Sequence, residues 1–239
     1  MPLHSIQALS PTAVLGLWHL TEPPEALWPL LPAAYRQLIP PTAGLTRQSH
    51  WLGVRALAHA LAGQLLPSPP ATDMVIRNDA EGRPWLTGAP QPLEISLSHS
   101  GEWAAAIVCS TGRAGIDIEI VRDKARRLAS MFLSDDEMAA AAARPEAGAS
   151  QRYSLLWSAK ETLYKLAARP GLIFREQLLL DIATLQTPLP DICTAPLQLS
   201  ATLRVPDKDM RHCICYCEPA PGYVLTYCYA AGLPPLAVS

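Results

Sequence analysis

Ala114-Gly115-Ile116-Asp117-Ile118-Glu119-Ile120 alternates apolar and acidic residues with a period of two, the pattern of a β-strand. Extended backbone sends Asp117 and Glu119 to one side, about 7 Å apart along the chain, while Ile116, Ile118 and Ile120 fill the other. Carboxylates this close resist ionising together unless a cation lies between them. A hard divalent ion such as Mg²⁺ takes one or two carboxylates and completes its octahedron with water and phosphate oxygens. An edge strand with two solvated acids shows the same pattern, so the strand by itself leaves both readings open.

Downstream, Trp157-Ser158-Ala159-Lys160-Glu161-Thr162-Leu163-Tyr164-Lys165 lies in a helical pattern. Trp157, Glu161 and Lys165 fall at i, i+4 and i+8, and Lys160 with Tyr164 at a second i, i+4 pair, so one acid and two bases project over a limited arc. An exposed, salt-bridged helix face has this spacing too. A helix is also predicted over 46–66, where Val54, Leu57, Ala58, Leu61 and Leu65 recur as one apolar face. Near its start Arg47, Trp51 and Arg55 follow at i, i+4 and i+8, placing two arginines on neighbouring parts of the surface. These could equally be ordinary solvated arginines.

The rest of the chain fills in around these helices. Residues 75–86 read as a strand, a turn around Gly82 and a strand after Pro84; 93–98 and 104–110 add two more. Ser134-Asp135-Asp136-Glu137 has the spacing of a capping box, which gives Glu137 a structural explanation. A polar stretch at 144–150 precedes the second helix, over 151–168, and strands near 197–205, 211–217 and 224–230 finish the chain. Proline clusters at 67–70, 90–92, 188–196 and 219–221 mark loops. Both halves are helix plus several mainly antiparallel strands, an α+β pattern. The boundary is expected near residue 111, giving lobes 1–111 and 112–239.

Composition narrows the function. The 239 residues are 49% hydrophobic and 17% charged, against about 25% charged in average domains, so the chain has material for a core and is not disordered. A net charge of −2 and a pI near 6.3 provide no field for nucleic acid or an anionic membrane, so any anion must be held by local cations. Lysine is scarce: Lys124, Lys160, Lys165 and Lys208 are all there are, and two of them stand in one helix. The most apolar run, 51–66, is interrupted by Arg55, His59 and Gln64, and the first residues lack the basic-then-apolar order of a secretory leader. A soluble, cytoplasmic protein is expected, with reduced thiols. Cys213, Cys215 and Cys217 share one strand face and are expected to be buried; zinc is disfavoured because its usual cysteine pairs have two to four intervening residues.

Ser98-His99-Ser100, Gly115-Ile116-Asp117-Ile118-Glu119 and Trp157 to Lys165, in that order, resemble the 4'-phosphopantetheinyl transferase superfamily, whose signature is Gly-apolar-Asp-apolar-Glu followed by Trp/Phe-x-x-Lys-Glu-(Ala/Ser)-x-x-Lys. The length and the Ser-His-Ser element resemble its two-lobed, surfactin-synthetase-activating type, and the similarity runs from about 47 to 165. It implies two similar α+β lobes related by a pseudo-two-fold, each a helix on a mainly antiparallel sheet, with coenzyme A in the cleft between them. It also implies transfer of the phosphopantetheine arm to a serine of an apo acyl or peptidyl carrier protein, with release of 3',5'-ADP, by a monomer serving fatty acid, polyketide or nonribosomal peptide synthesis.

Carried onto this sequence, the resemblance assigns Asp117, Glu119 and Glu161 to Mg²⁺, or Mn²⁺ in its place. Glu161, or a water it holds, is the base for the carrier serine. Lys165 and Lys160 are assigned to the pyrophosphate, with Asp117 also at the coenzyme. Arg47, Arg55, Arg83, Ser98 and His99 are assigned to coenzyme A, His99 as an imidazolium on the 3'-phosphate. The carrier is expected to dock on 172–180, beside Arg169 and Arg175. Thr162 stands where Ala or Ser is commoner and Arg83 where Lys is frequent, and the first 40 residues match no motif. Two other readings are a different Mg²⁺-dependent phosphoryl or nucleotidyl transferase, and a non-catalytic coenzyme A-binding protein.

Overall fold

The computed structural model describes residues 3–39, 42–66, 74–185, 196–206 and 208–233; the proline-rich stretches at 67–70 and 188–195 lie outside the described residues. The chain groups into two units, Met1–Ala114 with Tyr229–Ser239, and Gly115–Cys228.

The first unit contains β1 (Leu3–Ser10), β2 (Ala13–His19), α1 (Pro24–Leu27), α2 (Tyr35–Leu38), α3 (Leu45–Leu65), β3 (Val75–Asn78), β4 (Pro84–Thr87), β5 (Glu94–Ser100) and β6 (Trp103–Cys109). Its main sheet has the order β1-β2-β6-β5 with every pairing antiparallel. Strand β2 is a continuous apolar run because it is an interior strand, buried from Ala13 to Trp18. Helix α3 supplies Leu52, Val54, Leu57, Ala58 and Leu61 to a core shared with Trp18, Ile95 and Val108. Gly16 of β2 gives the helix room: a Cβ there would stand 2.8 Å from Leu57 Cδ1 and Leu61 Cδ2.

A buried polar link ties the N-terminal segment to this core. The Tyr35 hydroxyl accepts from the Ile76 amide at 2.6 Å and lies 2.8 Å from His59 Nε2. Burial pushes the Tyr35 phenol up to about 12 and the His59 imidazole down to about 4, so both are neutral at physiological pH. The first 40 residues, which carry no recognisable motif, thus supply two strands and this anchor.

The second unit holds most of β7 (Arg113–Ile120), then α4 (Asp123–Arg127), α5 (Ala129–Phe132), α6 (Asp135–Ala142), α7 (Ala149–Ala167), α8 (Phe174–Gln177), β8 (Leu178–Leu180), β9 (Leu197–Val205), β10 (Lys208–Cys217) and β11 (Tyr223–Ala230). Its sheet has the order β7-β11-β10-β9-β8. The units are therefore α+β, each with a long helix and an antiparallel sheet. The capping box forms as its spacing predicts: Glu137 N–H donates to Ser134 Oγ and Ser134 N–H to Glu137 Oε2. The cysteine strand departs from expectation. Ile214 and Tyr216 face the core while Cys213 is exposed, Cys215 half-buried and only Cys217 buried. The larger apolar side chains take the inner face and leave the thiols on the other. No helix among the described residues is long and apolar enough to cross a membrane.

Candidate active site

Helix α7 reaches its sheet through small and hydroxylated residues. Ser154, Ser158 and Thr162 recur every four residues and are buried. Ser154 exchanges hydrogen bonds with the Arg122 backbone; Ser158 Oγ donates to Asp117 O at 3.3 Å and lies 2.9 Å from Thr226 Oγ1; Thr162 Oγ1 donates to Thr226 O at 3.1 Å. Thr162, the departure from the usual Ala or Ser, therefore adds a bond to β11. Gly115 completes the close approach, because a Cβ on it would collide with the Thr162 carbonyl oxygen. This seating brings the acids of β7 beside the acid and base of α7.

Lys165 Nζ donates to Asp117 Oδ1 at 2.8 Å and to Ile116 O at 3.0 Å. Trp157 Nε1 donates to Glu119 Oε1 at 3.1 Å, while its ring packs edge-on to Phe132 and stacks on Phe174. Glu161 completes the group. Burial raises its pKa from 4.5 to about 6; Lys165 opposes the rise, and the Asp117 and Glu119 carboxylates add to it. Three carboxylates and one ammonium thus share one electrostatic neighbourhood within the second unit. β7 is the edge strand of its sheet, but Asp117 is buried and Glu119 half-buried, so its two acids are not a freely solvated pair. The tryptophan was legible only as part of a motif; its indole N–H orients Glu119.

The donor set suits Mg²⁺ by chemistry, since it offers hard carboxylate oxygens. Among the described residues no three His, Cys, Asp or Glu side chains form a ready-made metal cage.

Lys160 does not join this group. Its ammonium is fully buried, 2.6 Å from Glu137 Oε2 and 3.0 Å from Phe174 O. Glu137 also accepts from the Leu180 amide at 2.6 Å, so one carboxylate ties α6, α7 and β8 together. Burial pulls the Lys160 pKa down and Glu137 opposes this. The expected pyrophosphate role of Lys160 is corrected to a structural one: helical spacing places it one position from Glu161, but on the inward face.

The coenzyme-directed residues of the first unit also separate. Arg47 on α3 and His99 on β5 are exposed, as an anion-binding role requires. Ser98 is buried on the opposite face of β5 from His99, by the strand's alternation, so its side chain is not in the same place. Arg55, expected at the surface, is 7% exposed. Its guanidinium lies 3.8 Å from the Trp51 ring centroid and donates to Trp51 O and Asn78 Oδ1, and burial lowers its pKa to about 10. It braces the β3–β4 hairpin instead. Arg83 is paired with Glu94 at 2.5 Å, and Arg113 stands in the field of both. In the expected carrier-docking stretch, Leu172, Leu178 and Leu180 are core residues, whereas Ile173, Arg169 and Arg175 are exposed.

Residues 113–228 match a family described as the 4'-phosphopantetheinyl transferase superfamily. The chain is 35% identical over 122 residues to the 4'-phosphopantetheinyl transferases AcpT of Salmonella typhi and Salmonella typhimurium, and 34% identical to AcpT of Escherichia coli K12. Each match covers 50% of this chain, and 58%, 58% and 57% of the respective relative. The chain therefore spans less than three fifths of the length of the relatives it matches. The matched family region begins at β7 and takes in Asp117, Glu119, Trp157, Glu161 and Lys165, the group that the fold draws together. Residues 113–228, just under half of the chain, are what makes this protein similar to the 4'-phosphopantetheinyl transferase superfamily.

Proposed function

We propose that this protein transfers the phosphopantetheine arm of coenzyme A to a serine hydroxyl of an apo acyl or peptidyl carrier protein, releasing 3',5'-ADP, with Mg²⁺ as the metal. The observation that carries this reading is the Asp117–Glu119–Glu161–Lys165 group, with Glu161 held at about 6. A carboxylate near that value is largely ionised at neutral pH yet more basic than a solvated glutamate, which suits it to take the proton of a hydroxyl. Lys165, already fixed by Asp117, presents a point charge to pyrophosphate oxygens. Trp157 keeps Glu119 in place through its indole N–H. Bound Mg²⁺ would be held by Asp117, Glu119 and Glu161 and would neutralise charge on the pyrophosphate.

Arg47 and His99, exposed on the first unit, suit the 3'-phosphate; Arg83 would serve it only by exchanging or sharing its Glu94 partner. For the carrier, Ile173 with Arg169 and Arg175 offers the apolar and basic contact that an acidic, partly apolar helix would fit. Release of 3',5'-ADP from coenzyme A in the presence of an apo-carrier tests the reading. It should require a divalent ion, fall as acid protonates Glu161, and vanish in Glu161→Gln. Undiminished release by Glu161→Gln would overturn the assignment of the base.

A further inference from the structure

Phe174 stands between exposed Ile173 and Arg175, yet it is itself half-buried. Two separate contacts hold it. Its backbone carbonyl accepts from the buried Lys160 ammonium at 3.0 Å, and its ring stacks on the Trp157 indole, with centroids 5.8 Å apart and planes 19° from parallel. Phe132 meets the same indole edge-on, at 5.1 Å and 73°, and Tyr164 lies against Phe174 at 5.4 Å. The indole is thus gripped by two rings, and its Nε1 in turn donates to the Glu119 carboxylate at 3.1 Å.

Trp157 and Lys160 lie three residues apart on α7 and share Phe174 as a partner, one through its ring and the other through its carbonyl. A buried ion pair is weak evidence of stability, because apolar side chains of similar volume in place of both partners would pack as well. What apolar side chains cannot do is hold a carbonyl. The Lys160 ammonium is fixed by Glu137, which also accepts the Ser134 and Leu180 amides, so the backbone of Phe174 is tied to α6 and β8. Trp157 is half-buried, and a half-exposed indole N–H readily trades a protein acceptor for water. Rings on two sides of the indole restrict its rotation and keep the N–H aimed at Glu119.

We propose that Phe174 is a positioning residue for Glu119: anchored by Lys160, it clamps the Trp157 indole in the orientation whose N–H meets that carboxylate. Under the coenzyme A reading, on which the kinetic half of the test rests, Glu119 helps to hold the divalent ion, so loosening the clamp weakens the ion and leaves the carrier untouched. Two measurements on the full chain test this in wild type, Phe174→Leu and Phe174→Tyr. The first needs neither coenzyme nor metal: hydrogen exchange of the Trp157 indole N–H, followed by NMR in the 15N-labelled chain, with Trp157→Phe identifying the signal. Exchange should quicken about five- to tenfold in Phe174→Leu, which keeps apolar bulk but loses one aromatic pair, and return to the wild-type rate in Phe174→Tyr. The backbone amides of β11, unchanged throughout, report that the fold is intact. A wild-type indole rate in Phe174→Leu, or equal quickening of the indole and the β11 amides, would overturn the clamp. The second is transfer kinetics, in which Phe174→Leu should raise the Mg²⁺ concentration for half-maximal rate by a similar factor, with the KM for the carrier unchanged. A raised carrier KM with an unchanged Mg²⁺ requirement would make Phe174 a docking residue and overturn the inference. A wild-type chain without transfer activity would overturn the coenzyme A reading, while indole exchange would still decide the clamp.

Discussion

Replacing Glu161 by Gln removes a carboxyl whose ionisation the fold resists. Its pKa lies at about 6 against an ordinary 4.5, chiefly through burial, with Asp117 and Glu119 adding and Lys165 opposing. Between those values the native chain keeps a proton that the unfolded chain has lost. The group therefore contributes stability that is fully present below 4.5 and lost as pH rises through about 6. The rise from 4.5 to about 6, at about 1.36 kcal/mol per pH unit, comes to about 2 kcal/mol. Glutamine has no such term. Relative to wild type, Glu161→Gln should gain about 2 kcal/mol of stability on going from near pH 4 to near pH 8. Urea unfolding of both proteins at the two pH values, without coenzyme A or divalent ion, measures it as a difference of differences, in which pH-independent effects of the substitution cancel. A variant both more stable at neutral pH and inactive marks a group kept at the expense of the fold. If the difference between the proteins were the same at both pH values, Glu161 would be a solvated surface acid and the reasoning would fail.

Three further substitutions probe how the site is held. Lys160→Met leaves the Glu137 carboxylate buried without its ammonium, and should cost about 3–5 kcal/mol in urea unfolding; unchanged stability would mean that the ammonium faces solvent. Gly115→Ala forces a methyl against the Thr162 carbonyl oxygen, so α7 must lift from β7, at a cost of about 1–3 kcal/mol. Transfer activity should fall by more than the loss of folded protein, measured on the same samples by circular dichroism, and proportional losses would refute the seating argument. Ala168, which closes α7 in the left-handed region at φ +47, should tolerate Gly with a gain of about 1 kcal/mol seen as a raised Tm; a lowered Tm would contradict the strain.

Periodicity made much of the second unit legible. The alternation of 114–120 gave a strand, the three-to-four spacing gave α7, and the Ser134–Glu137 spacing gave a capping box that forms in full. What periodicity does not encode is which neighbour covers a face. Lys160 and Glu161 are adjacent in one motif, yet one is sealed against Glu137 and the other stands with the β7 acids, because α6 and β8 close over the inner side of the helix. Arg55 reads as a solvated arginine until Trp51 and Asn78 are placed around it. The cysteine strand has the expected alternation but the opposite face inward, since Ile214 and Tyr216 bury more apolar surface than three thiols. β2 is legible in the same way, since 13–18 is an unbroken apolar run and is buried throughout.

The central claim is that the acids of β7 and α7 serve a group transfer from coenzyme A to a carrier serine. Intact-mass measurement tests it most directly, with the chain incubated with coenzyme A, Mg²⁺ and a panel of apo acyl and peptidyl carrier proteins. The account predicts a gain of one phosphopantetheine on the serine of at least one carrier, matched by an equal amount of 3',5'-ADP and absent with Glu161→Gln. No gain on any carrier, from a chain shown to bind coenzyme A, would contradict it.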